Sequence, residues 1–166
     1  MGILKKFYPD EYLDSTYIID FKKYFEKGYR GIIFDIDNTL VPHGAIATTK
    51  ANELFEKLRN IGFDTCLISN NKEKRVSSFA NSVGSKYIFK ASKPLPKNYK
   101  KACELMHTDI ENTMFVGDQI FTDVYGAKRI GIYTILVKPI HPKEEIQIVL
   151  KRYLEKIVLR SYEKNK

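Results

Sequence analysis

The chain has 166 residues, enough for one domain with an ordinary core, and its 43% hydrophobic and 29% charged residues exclude a disordered or fibrous class. No apolar run approaches membrane-spanning length, and the start lacks the apolar core and cleavage site of a signal peptide. Lys6 also stands where a myristoylation motif needs Ser or Thr, so a cytoplasmic protein is expected. The net charge of +8 is concentrated: residues 72–101 hold nine Lys/Arg against one acid, Glu73, which accounts for the whole excess. That stretch is either the surroundings of an anionic ligand or a pair of solvated helix faces.

In chain order, residues 4–19 are rich in aromatics but have no clean period, and read as an irregular arm packed on the domain. Asp20 is suited to cap a short helix through Lys27, with Gly28 in the left-handed position that ends it. Residues 31–34 form an apolar, β-rich run of the kind buried on both faces, stopping at Asp35 and Asp37. Residues 40–48, with Pro42 and Gly44, read as a loop. Residues 49–60 read as a helix because Ala51, Leu54, Phe55 and Leu58 recur at spacings of three and four before Gly62.

A second strand over 63–68 stops at Ser69-Asn70-Asn71, a helix over 72–82 stops at Gly84, and a short strand covers 87–89. A helix over 95–106 is entered through prolines tolerated in a first turn. Residues 113–116 form a strand ending at Gly117-Asp118, residues 122–130 a helix, 132–137 a fifth strand and 143–159 a closing helix. Strands alternating with helices predict an α/β, Rossmann-like three-layer sandwich on a five-stranded, mainly parallel sheet. One domain is expected, with an arm and short helix over 1–28, a catalytic core over 29–139 and a C-terminal helix over 140–166. Cys66 in a strand and Cys103 in a helix have no metal-ligand spacing and read as small core hydrophobes.

Polar residues fall where the predicted strands end. Two carboxylates one residue apart, Asp35 and Asp37, repel one another unless the chain turns or a cation intervenes, so a divalent-metal site with a nucleophile or base is the sharp reading; an acidic loop capping a strand is the plain one. Ser69 ends the second strand, Lys93 follows the third, and Asp118 ends the fourth with Asp123 five residues on. Acids, a hydroxyl and a lysine converging on one sheet edge are the inventory of phosphoryl transfer.

Four motifs in order carry a resemblance. Asp35-Ile36-Asp37-Asn38-Thr39 matches DxDxT; Ser69 follows an apolar strand; Lys93-Pro94 supplies the lysine; and residues 117–123 match GDxxxxD. The chain thereby resembles the haloacid dehalogenase superfamily of phosphohydrolases over residues 31–137, and is further similar to the YqeG-like branch of subclass IIIA, which is related to phosphatidylglycerophosphate phosphatases.

The resemblance implies that Asp35 is a nucleophile forming an aspartyl-phosphate, and that Asp37 is the general acid and base. It implies Mg²⁺ on Asp35, Asp118 and the backbone carbonyl of Asp37, with Asp123 and Thr39 orienting ligands. Ser69, the Asn70 amide and Lys93 would then hold the phosphate. His43, His107 and His141 match no motif position and read as surface or core residues.

Neither gap between the motifs has room for a cap domain, so an open catalytic edge is expected, closed at most by 40–48. An open, basic edge suggests a phosphate on a lipid head group and peripheral contact with anionic membrane at its inner face; a nucleotide or RNA end is the rival, as are a phosphotransferase and a non-catalytic binding module. In the closing helix, Ile146, Val149, Leu150, Tyr153, Leu154, Ile157 and Val158 form an apolar stripe flanked by Lys151, Arg152, Lys156 and Arg160. Packing of that stripe against the sheet is preferred to membrane contact.

Overall fold

The computed structural model describes residues 2–141 and 146–166, the side chains of 146–148 excepted. In chain order the elements are α1 (Gly2–Lys5), β1 (Glu11–Leu13), a 3₁₀ turn (Thr16–Ile18), α2 (Phe21–Glu26), β2 (Gly31–Phe34), α3 (Thr49–Ile61), β3 (Asp64–Ile68), α4 (Glu73–Val83) and β4 (Lys86–Ile88). There follow α5 (Pro96–Met106), a 3₁₀ turn (Ile110–Asn112), β5 (Thr113–Gly117), a π-helical turn (Ile120–Val124), α6 (Tyr125–Lys128), β6 (Tyr133–Val137) and α7 (Ile146–Lys164). The strands form one sheet in the order β1-β6-β5-β2-β3-β4, and every pairing is parallel.

The sheet has six strands rather than five because part of the expected irregular arm is β1. It adds to the free edge of β6, Glu11 opposite Ile135, with Asp10 N–H donating to the Thr134 carbonyl. A three-residue edge strand held by backbone pairing leaves no side-chain period to read.

Alternation in the strands builds two main cores, and a smaller third cluster joins Ile120, Val124, Leu136 and Val158. Ile32, Phe34, Leu67 and Val116 face α2, α3 and α4, whereas Ile33, Cys66, Ile68 and Phe115 face Tyr99, Ala102 and Met106 of α5 and Ala127 of α6. Both cysteines are buried and free, and burial pushes the Cys66 thiol up to about 12. Local signals work as expected at two ends, where the Asp20 carboxylate accepts from Lys23 N–H to cap α2 and Gly84 adopts the left-handed conformation after α4; Thr48 caps α3 as well.

Register sets the working edge. Phe34 lies opposite Leu67 on one side and Val116 on the other, so the residues that follow β2, β3 and β5 emerge side by side. No further domain is inserted among the described residues, leaving that edge open.

Two expectations about helices change. The helix predicted over 122–130 begins as the π-helical turn and is α-helical only in α6. The predicted start of the closing helix at Lys143, and the side chain of Ile146, lie outside the described residues. More important, the apolar stripe of α7 does not pack on the sheet: Val149, Leu150, Tyr153, Leu154 and Ile157 are exposed, and Val158 alone of its described members is buried. The inward face carries Arg152 and Glu155, whose polar partners lie at the sheet edge, beside Val158 and Leu159, which pack with Ile120, Val124 and Leu136.

Candidate active site

The edge is built around Asp35, which follows β2 directly. Its backbone N–H still donates to the Val116 carbonyl, so the residue is pinned as the strand ends. The chain then turns through Asn38, whose φ of 61° is the left-handed region that asparagine tolerates. That turn brings Thr39 back under the acids, where its buried hydroxyl bridges Asp35 Oδ2 at 3.2 Å and Asp118 Oδ1 at 3.1 Å.

Asp35, Asp118 and Asp123 are buried, and one carboxylate oxygen of each lies within 4.8 Å of the others. The Lys93 ammonium lies between two of them, 2.8 Å from Asp35 Oδ1 and 2.8 Å from Asp123 Oδ1. The other oxygen of Asp123 accepts the backbone N–H groups of Asp118 and Gln119 at 3.1 Å. Gly117 makes room for this: a Cβ there would sit 2.5 Å from Asp123 Oδ2.

Burial pushes the carboxyls of Asp35, Asp118 and Asp123 up to about 6, reinforced by their mutual repulsion and opposed by Lys93 or Arg152. Burial works against the Lys93 ammonium as well, but Asp123 and Asp35 outweigh it and hold its pKa well above the ordinary value. A group of hard oxygen donors with surplus negative charge suits a divalent cation.

Asp37 stands apart from this trio. It is half-buried, and its Oδ1 accepts Gly44 N–H at 2.8 Å and Arg75 Nη2 at 2.9 Å. Burial raises its pKa, yet the Gly44 and Arg75 bonds outweigh that and leave it below the ordinary value. Ser69 is buried at the end of β3, where its Oγ accepts Asn71 N–H, and the Asn70 side chain accepts the backbone N–H of Lys93, joining the second and third motif segments. Asp35, Asp37, Ser69, Asn70 and Lys93 thus line one cleft of about 360 Å³, while Thr39, Asp118 and Asp123 lie beneath or beside its floor. A larger groove between α2 and α3 is lined by exposed Glu and Lys side chains and gathers no comparable cluster.

Four contributors were not legible in the sequence. Arg75, read only as surface charge, bonds Asp37 and also the Ala45 carbonyl. Arg152, read as a flank of the stripe, donates to both the carboxylate and the backbone carbonyl of Asp118, and the buried Glu155 beside it accepts Ile120 N–H. His43 lines the cleft mouth. The one available signal was the Arg152–Glu155 spacing of three, which puts both on the polar face of an amphipathic helix.

The profile of the haloacid dehalogenase-like hydrolases matches residues 45–131. The chain is 37% identical over 159 residues to the Bacillus subtilis (strain 168) protein named "Probable phosphatase YqeG", covering 95% of this chain and 92% of the relative. It is 27% identical over 156 residues to phosphatidylglycerophosphate phosphatase 1 of Arabidopsis thaliana, covering 87% of this chain and 44% of that protein. Among solved structures, a HAD phosphatase from Thermococcus onnurineus superposes with a TM-score of 0.51 at 18% identity, over 60% of this chain and 50% of the other, a likeness of fold. Four motifs on one edge of a parallel sheet, a matching family profile and a full-length relative lead to one assignment: this chain belongs to the haloacid dehalogenase-like hydrolase family.

Proposed function

We propose that the protein is a Mg²⁺-dependent phosphatase, a phosphoric monoester hydrolase acting through an aspartyl-phosphate on Asp35, and that its substrate carries phosphate on a lipid head group such as phosphatidylglycerophosphate. The observation that carries the reading is the position of Asp35 on the floor of an open cleft, with Lys93 on one oxygen and the hydroxyl of Thr39 on the other. Mg²⁺, held by the side chains of Asp35 and Asp118 and the carbonyl of Asp37, would offset the charge of the phosphate and of the acids around it.

The residues divide the work. Asp35 attacks phosphorus, and the bond from phosphorus to the leaving oxygen breaks as Asp37 protonates that oxygen. Asp37, now ionised, takes a proton from the water that splits the aspartyl-phosphate. The low pKa of Asp37 suits this second half; in the first, a phosphate dianion entering beside it favours its protonated form. Ser69, the Asn70 amide and Lys93 hold the equatorial oxygens as charge builds on them. Asp123 keeps Lys93 in place, and Thr39 ties Asp35 to Asp118.

Support for a lipid-borne phosphate is threefold. No inserted domain among the described residues covers the cleft, the adjoining 72–101 stretch is basic, and a relative is a phosphatidylglycerophosphate phosphatase. Each Lys or Arg near anionic lipid adds on the order of 1 kcal/mol of attraction. The unit at work is the whole of 1–166, since the arm supplies β1 to the sheet and α7 supplies Arg152 to the site; a lipid substrate would place it in the cytoplasm against the inner face of the membrane.

The test compares hydrolysis of phosphatidylglycerophosphate in detergent micelles, sugar phosphates, nucleotides and a soluble aryl phosphate, each with Mg²⁺ and with EDTA. Activity should vanish in EDTA, return with Mg²⁺, and favour the lipid in kcat/KM. Equal efficiency on nucleotides or sugar phosphates would replace the lipid reading, and full activity in chelator would remove the metal from the mechanism.

A further inference from the structure

Helix α7 leaves more apolar surface exposed than suits a helix whose surroundings are only water. Its inward face presents Arg152 to Asp118 and the buried Glu155 to Ile120 N–H and packs Val158 with Ile120, Val124 and Leu136, while Val149, Leu150, Tyr153, Leu154 and Ile157 are between 48% and 68% exposed, Val149 and Tyr153 along a groove beside Leu136 and Pro139. At 3.6 residues per turn these five fall within one stripe, with Lys156 along one border, Lys151 along the other and Arg160 between Val149 and Tyr153 near the first border. All three basic residues are exposed. A helix fastened inward by Arg152, Glu155 and Val158 that still leaves a row of five apolar side chains exposed has the pattern of a helix lying on an interface.

The stripe is also next to the chemistry. Lys151 lines the cleft that holds Asp35, and Arg152 fastens this end of α7 to Asp118. Other exposed apolar side chains follow the carboxyl ends of strands on the same edge: Ile46 in the loop after β2, Leu95 at the entrance to α5, and Ile140 just after β6, whose N–H donates to the Asn38 carbonyl. Exposed Lys72, Lys74, Lys90 and Lys97 stand on that edge too, with Glu73 the one acid between 72 and 101.

We propose that the catalytic edge and the exposed stripe of α7 form one docking surface for an anionic lipid bilayer, seating the cleft against the head groups. The occupant follows from charge complementarity joined to aliphatic exposure: the basic rim requires a negative partner, and the apolar stripe requires a partner with an apolar interior. RNA would satisfy the first demand only. Docking is peripheral, since no helix among the described residues is long and apolar enough to cross a membrane. Because Arg152 ties α7 to Asp118, a helix laid flat on the bilayer carries the acid cluster in a fixed orientation to the surface. The proposal rests on the lipid-phosphate reading and adds the surface by which such a substrate is met.

The full chain is tested by flotation with phosphatidylcholine vesicles with and without phosphatidylglycerol, beside a Leu150→Glu/Leu154→Glu variant and a Lys72→Gln/Lys74→Gln variant. The parent should float with the anionic vesicles only and be released by high salt, and both variants should bind at least about tenfold more weakly. Both should hydrolyse the soluble aryl phosphate at the parent rate, which shows that they fold. Failure of the parent to float, or variants that float equally well, would overturn the docking surface. So would a dimer in sedimentation that Leu150→Glu/Leu154→Glu dissociates, or retention of the parent by an RNA oligonucleotide more tightly than by vesicles. The two readings fail separately: lipid phosphate cleaved in micelles without vesicle binding removes this surface alone, and vesicle binding without lipid hydrolysis removes the substrate alone.

Discussion

Three buried carboxylates within 4.8 Å of one another need positive charge among them, and Lys93 supplies it by reaching Asp35 and Asp123 at once. Removing one partner of a buried ion pair costs about 3 kcal/mol or more, because the remaining charge stays desolvated. Lys93→Met is therefore expected to lose about that much stability at neutral pH in urea denaturation, along with its activity. Unchanged stability would mean that Lys93 does not hold the cluster together. Asp35→Asn acts in the opposite direction on the fold: it deletes one crowded acid, so hydrolysis should disappear while the melting temperature holds or rises. Turnover of an aryl phosphate near the parent rate would contradict the nucleophile assignment. Asp35, Lys93 and Asp123 were legible in the sequence because each stands at a fixed distance from a strand end. Arg75 was not, since its role depends on α4 lying over the loop at 43–45, a contact between segments 30 residues apart.

At the scale of elements, the π-helical turn at Ile120–Val124 matters most to the site. A wide turn is a common local device where a side chain must be aimed, and here it folds Asp123 back onto the amides of Asp118 and Gln119. That packing is possible because position 117 lacks a Cβ. Gly117→Ala should drive the Asp123 carboxylate off its amides and lower kcat about tenfold or more by misplacing Lys93, while far-UV circular dichroism stays that of the parent. A variant with normal kcat would show that the cluster tolerates the shift. Sequence periodicity predicted a plain helix at 122–130, since π and α turns share their apolar spacing over so few residues. For α7 periodicity found the stripe correctly and assigned it the wrong environment: the spacing of apolar residues gives the direction in which a helix face points but not what covers it.

For the whole molecule, the raised carboxyls couple stability to pH. Burial lifts Glu155 to about 7 against Arg152, and Asp35, Asp118 and Asp123 to about 6. The folded protein then keeps protons that the unfolded chain releases near pH 4, so stability contributed by these groups is complete below about pH 4 and is lost as pH rises to about 7. In EDTA the melting temperature should fall by several degrees between about pH 5 and about pH 8. Mg²⁺ should restore it at the upper end and do little at the lower, because it binds the ionised acids. A melting temperature in EDTA that climbs across this window would contradict the burial of these groups.

Local patterns along the chain are enough for the class, the place of the site and the family. Alternating helical and strand periods set the layered α/β class, strand ends followed by Asp, Ser and Lys set the position of the site, and four ordered motifs set the family. These are short-range regularities, and the backbone alone converts them into place. Long-range packing sets the added edge strand β1, the grip of Arg75 on Asp37, the attachment of Arg152 to Asp118 and the exposure of the α7 stripe. Each depends on which of two faces or two partners an element meets after the chain has closed. That choice is made by the summed fit of the whole edge, where Asp118 and Ile120 offer α7 polar partners and draw its charged face inward.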